Sequence, residues 1–242
     1  SLLERALKLR KQLLDEEKNP DVATSIYDLA ELYKNQGCYG DAEPLYQEAL
    51  ELRKQLLDNS HPDIATSLDS LAVLYGKQKR YGDAEPLYQE ALKLRKRLFG
   101  NNHPDVADSL NNLAVLYEDQ GYHDKAEPLF QESLELYKRL LGNEHPYVAI
   151  NLHNLATLYE EQGRYREAES FYRKSLKLSK QLLGKNHPDI ADTLDRLASF
   201  YSKQGRYGEA ELFYKESLEL RKELLGEKHP DVDTSIDNIA LS

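Results

Sequence analysis

Apolar residues recur along this chain at steps of three and four. In the stretch from Pro104 to Asn143, Val106, Leu110, Leu113, Ala114 and Tyr117 fall on one face of a predicted helix. After a break at Gly121 comes a second stripe, Ala126, Leu129, Phe130, Ser133, Leu134, Tyr137, Leu140 and Leu141, closed by Gly142. Pro104 suits a first helical position because the N–H it lacks has no intrahelical partner there, and the two glycines supply left-handed stops. This helix pair is one copy of a repeat. Prolines stand at Pro20, Pro62, Pro104, Pro146, Pro188 and Pro230, a constant spacing of 42 residues. The phrases HPDVA, SL--LA-LY and QG-Y--AE-LY-E-L recur between them. The pattern predicts one all-α array over 1–242: a second-type helix and link at 1–19, full repeats at 20–61, 62–103, 104–145, 146–187 and 188–229, and a truncated first-type helix at 230–242.

The charges fit helices of this polarity. Asp83 and Glu85 open a second helix while Arg95, Lys96 and Arg97 sit near its end, as the helix dipole favours. The same placement recurs at Arg53, Lys54, Arg221 and Lys222, so these pairs are read as dipole charges rather than an anion site. Pro44, Pro86 and Pro128 are expected in the first turn of their helices, where proline is tolerated.

Composition narrows the function classes. Forty-two acids against 32 lysines and arginines give a net charge of −10, a balance that disfavours nucleic acid and anionic membrane partners, and no basic patch dominates. Cys38 stands alone, which excludes an internal disulfide framework and fits a reducing compartment. With no long apolar run and no leader pattern, a cytoplasmic address is expected. The chain has no Met and opens at Ser1 inside a helical pattern, so it reads as a piece of something longer.

Leu-Ala-x-Leu-Tyr in the first helix and Ala-x-x-x-Tyr/Phe-x-x-Ser/Ala-Leu in the second resemble the tetratricopeptide repeat. The 42-residue length and the phrase HPDVADSLNNLAVLYEDQGYHDKAEPLF are similar to the repeats of kinesin light chains and of arrays in bacterial multidomain signalling proteins. The resemblance implies a right-handed superhelical solenoid of antiparallel helix pairs, with first helices lining a concave face used for extended partners. Two positions depart from the pattern. Lys79 replaces a turn glycine and Asp58 replaces a helix-closing glycine, so these turns are expected to be less stable. The first link is also one residue longer, a change a loop absorbs readily.

No chemistry is legible. His61, His103, His145, His187 and His229 each precede a repeat proline. One histidine per repeat puts neighbours about 10 Å apart, too far to share a metal that needs ligands at about 2 Å. They are read as turn residues. No catalytic group, metal site or cofactor motif is assigned, because no nucleophile, phosphate loop or zinc-protease pattern is present. Abundant paired acids read as a solvated face, and the expectation is that the protein is not an enzyme.

Candidate contacts come from the first-helix positions left after the buried stripe is removed. These are Asp108, Asn111, Asn112 and Val115 in the third repeat. Their counterparts include Tyr27, Asp28 and Glu31; Asp69 and Ser70; His153, Asn154 and Thr157; Asp195 and Arg196; and Asn238. The repeats copy one another in the core and differ here, as a ligand-reading surface would. Eleven acids and four bases on this face predict an acidic groove. That does not match the basic grooves with which kinesin light chains hold acidic cargo peptides. Tyr27 and Glu31 likewise do not supply the lysine and asparagine clamp of chaperone-tail binders. Asn112, Asn154 and Asn238 recur at one position, where an amide can donate to and accept from a peptide backbone.

The expected function is therefore a scaffold that binds extended, basic or neutral protein segments. The competing reading is a structural spacer or assembly arm with an empty groove. The ends carry exposed apolar helix faces, Leu2, Leu3, Ala6, Leu7, Leu9, Leu13 and Leu14 at one and Ile236, Ile239, Ala240 and Leu241 at the other. Head-to-tail self-association is expected from them.

Overall fold

The computed structural model describes residues 19–240. Among them eleven helices and no strand are found. First-type helices are α1 (Pro20–Asn35), α3 (Pro62–Lys77), α5 (Pro104–Asp119), α7 (Pro146–Glu161), α9 (Pro188–Lys203) and α11 (Pro230–Ala240). Second-type helices are α2 (Tyr39–Leu56), α4 (Tyr81–Phe99), α6 (His123–Leu141), α8 (Tyr165–Leu183) and α10 (Tyr207–Leu225). The chain divides into two compact units between Leu136 and Tyr137, inside α6. In unit 1 successive helices from α1 through α5 pack against one another, and in unit 2 those from α7 through α11 do so. The orphan helix read at 1–19, with its leucine face, lies outside the described residues.

Each first helix starts at its proline because the residue before it caps the helix. His61, His103, His145, His187 and His229 accept on Nδ1 from the backbone N–H two residues on, at 3.2 to 3.3 Å, and Asn19 does so through Oδ1 at 2.9 Å. The turn histidines are thus helix caps, each relieving one of the orphan N–H groups at a helix start.

The stripes form the core as expected: Val106, Leu110, Leu113, Ala114 and Tyr117 are buried, as are Ala126, Phe130, Leu134 and Tyr137. Buried serine in the second stripe is satisfied across the pair. Ser133, Ser175 and Ser217 donate to the carbonyls of Ala107, Ala149 and Ala191 at 2.8 to 3.1 Å. Tyr75, Tyr159 and Tyr201 carry the guanidinium of Arg80, Arg164 and Arg206 on their faces at 4.0 to 4.3 Å.

Three expectations are corrected or refined. Pro44, Pro86 and Pro128 are sixth in their helices, in the second turn rather than the first. They are exposed, and the carbonyls their missing N–H would have met belong to exposed Gly40, Gly82 and Asp124, which water can satisfy. Lys79 does adopt the left-handed conformation of the glycine it replaces, with φ 60°. At Asp58 the chain avoids that conformation. Helix α2 stops at Leu56, one residue short of its counterparts, and Asp58 Oδ1 accepts from Ser60 N at 2.8 Å to make the turn.

Candidate functional site

The face adjacent to the buried stripe of each first helix holds the residues singled out above, and the second helices send side chains onto it. In unit 1 the Tyr27 hydroxyl meets Ser70 Oγ at 2.8 Å, tying α1 to α3. Tyr46, from α2, donates to Glu31 Oε1 at 2.5 Å, and Lys34 donates to Glu31 Oε2 at 2.5 Å. Burial pushes the Glu31 carboxyl up, but these two donors outweigh it and hold the group below its ordinary range. The Tyr46 phenol is pushed far up by burial and by that carboxylate, so it stays a donor.

Unit 2 repeats the device. Tyr172, from α8, donates to Glu160 at 2.9 Å and touches the Thr157 hydroxyl at 3.2 Å, while Lys203 reaches Glu160 at 2.8 Å. Tyr214 lies against Ser199. These tyrosines stand at the Tyr/Phe position of the second-helix motif, where Phe130 stands in the third repeat. Their spacing places the ring in the core, and it is the length of the side chain that carries the hydroxyl through to the face.

The recurring arginines correct the sequence reading. Arg53 and Arg95 are buried and Arg221 is largely so, and none is merely a dipole charge at a helix end. Arg95 donates to Asp69 and, at 2.6 Å, to Ser109; Arg221 donates to Asp195 and, at 2.7 Å, to Ser235. Arg53 bonds Ser67 at 2.7 Å and lies over the Tyr27 ring at 4.5 Å. Asp69 is therefore a buried half of an ion pair rather than a groove contact. Burial pushes its carboxyl up to about 6 against the pull of Arg95.

Asp28 and Arg196 are exposed; Asp108, Asn111, Asn112, Val115, His153, Asn154 and Asn238 are half-buried. Burial, with Arg196 nearby, pushes the His153 imidazole down to about 4. Unit 1 carries Asp28, Glu31, Asp108, Glu118 and Asp119 against Lys34, Lys77 and Arg53, besides the buried Asp69–Arg95 pair. Unit 2 presents Glu160, Glu161, Asp192, Asp195 and Asp237 against Arg196, Lys203 and Arg221. Among the described residues no group of three or more His, Cys, Asp or Glu side chains is placed to hold a metal, and no helix is long and apolar enough to cross a membrane.

The tetratricopeptide repeat family matches five overlapping stretches, residues 21–97, 63–139, 105–181, 162–223 and 189–242. The chain belongs to the tetratricopeptide repeat family. Tetratricopeptide folds generally mediate protein–protein interactions, and scaffolds of this family are typically non-catalytic. No curated protein matches the chain. Among solved structures it is similar to BtubC (BKLC) from P. vanneervenii, with 28% identity, 94% of this chain and 89% of that one covered, and a TM-score of 0.75. It is also similar to a Podosopora anserina putative kinesin light chain with nearly identical TPR-like repeats (22% identity, 86% and 98% covered, TM-score 0.70). A third is the Rap conjugation gene regulator of plasmid pLS20, solved with the Phr* peptide (15% identity, 90% and 62% covered, TM-score 0.68). The last two speak for the fold alone.

Proposed function

We propose that the first-helix faces bind extended protein segments of basic or neutral character. The observation that carries this reading is that acids outnumber bases on the face of each unit even after the buried arginines are counted. Two of these carboxylates, Glu31 and Glu160, are held in place by tyrosine hydroxyls, so little of their side-chain entropy is lost when a partner docks. A net negative face steers cationic segments towards it over about 8 to 10 Å at moderate salt.

Capture from a random-sequence peptide pool tests the reading. Enrichment of Lys- and Arg-containing sequences is expected, and enrichment of acidic sequences at low salt overturns it. Asn112 and Asn154, as the leading backbone contacts, give a second check. Replacing both by Ala should weaken capture while shifting stability by no more than about 0.5 kcal/mol. A large fall in melting temperature would make them structural.

A further inference from the structure

One position on the second helices is occupied by Arg53, Arg95, Tyr137, Ser179 and Arg221 in turn. From it a side chain crosses to the next first helix. The three arginines reach the hydroxyls of Ser67, Ser109 and Ser235 at 2.6 to 2.7 Å, and the Tyr137 ring, 2% exposed, lies 5.1 Å from that of Tyr147. Of these five residues, Ser179 is too short to cross. Beside it, within unit 2, an open cavity of about 300 Å³ lies between α7, α8 and α9.

The cavity keeps the partners that an arginine meets elsewhere. Thr193 stands where Ser67, Ser109 and Ser235 stand, and its hydroxyl donates to the Asp189 carbonyl at 2.8 Å, which leaves the oxygen lone pairs as acceptors. The counterpart of that carbonyl in the second repeat, Asp63 O, takes a bond from Arg53 at 3.2 Å. His153 stands where Asp69 and Asp195 accept from Arg95 and Arg221. Its ring is neutral at ordinary pH, so one nitrogen is an acceptor. Asp192 adds a carboxylate at the rim, where its Oδ1 already accepts from Arg221 at 2.7 Å. Ile150 and Leu183, 49% and 38% exposed, give the mouth apolar walls suited to a methylene stem.

Other occupants fit less well. An anion would meet Asp189 and Asp192, and a purely apolar side chain would leave Thr193 and His153 facing carbon, which costs each unmade bond. Arg196 opposes a cation, but it is exposed and its charge is screened.

We propose that this cavity takes the arginine side chain of a protein partner, supplying from outside the residue that the fourth repeat lacks. The inference rests on the first-helix faces being a partner-binding surface. Titrating N-acetyl-L-argininamide into the isotope-labelled chain tests it, with N-acetyl-L-citrullinamide as the neutral isostere and nuclear magnetic resonance as the readout. A saturable shift of the His153 ring and the Ser179 and Thr193 amides is expected, with citrullinamide about tenfold weaker or more. Ser179→Arg and Ser179→Met, each checked for cooperative melting, should abolish the response. Absence of a saturable shift, an equal response to citrullinamide, or a response that survives in both filled variants overturns the proposal. If argininamide fails while the peptide pool still enriches basic sequences, the slot falls and the broader reading stands. If argininamide saturates in a chain that enriches no peptide, the broader reading falls and the slot stands.

Discussion

Arg95 and Asp69 form a buried ion pair in unit 1. Each is enclosed, and Asp69 Oδ1 finds no hydrogen-bond partner among the described residues. Removing one partner strands the other charge in the core, so Asp69→Ala should lower stability by about 3 kcal/mol in chemical denaturation. A loss below about 0.5 kcal/mol would show the pair to be incidental. His153 sets a pH dependence of definite sign. Its folded value of about 4 lies below the ordinary 6.5, so between these limits the unfolded chain holds the extra proton. Its contribution to stability is complete above pH 6.5 and is lost as pH falls towards 4. The loss is up to about 3 kcal/mol. Asp69, pushed up to about 6, gives a slope of opposite sign over much of this window, so His153→Asn should shift the pH slope of unfolding in the negative direction, and an unchanged slope would contradict the assignment. Neither the pair nor the buried imidazole is legible in the sequence. A 42-residue period aligns Asp69 with His153 and Arg95 with Ser179, yet which of them meet depends on the side chain that crosses from helix to helix.

At the scale of the element, the helices were the most legible feature, because proline, glycine and the three- and four-residue stripes all point to the same boundaries. The caps were not. Histidine is not a usual capping residue, and only the geometry of Nδ1 against the second backbone N–H reveals the role. Turn chemistry was half legible: both missing glycines stood out, but the chain answers them differently. Lys79 accepts the left-handed conformation, whereas Asp58 shortens its helix. Lys79→Gly should therefore stabilise unit 1 by about 1 kcal/mol, since a side chain there crowds the following carbonyl. Thermal melting measures it, and a lower melting temperature would mean that the lysine makes contacts worth more than the strain. The second-helix prolines escaped for a related reason, in that helix starts cannot be placed within a few residues by pattern alone.

For the molecule as a whole, the fold follows from one repeated sentence of residues, and the proposed function from where the copies differ. Core positions repeat closely because each pair must bury the same face on its neighbour. The first-helix faces vary from copy to copy, with Tyr46 and Tyr172 donating to Glu31 and Glu160. The arginines that reach those faces were not legible in the sequence, since they arrive from the second helices. The most direct test of the central claim is the affinity of one extended peptide prepared in lysine, neutral and glutamate versions, followed by fluorescence anisotropy at low and physiological salt. The account predicts that the lysine version binds tightest and the glutamate version weakest, with the gap narrowing as salt rises. Equal affinities at low salt, or tighter binding of the glutamate version, would contradict it.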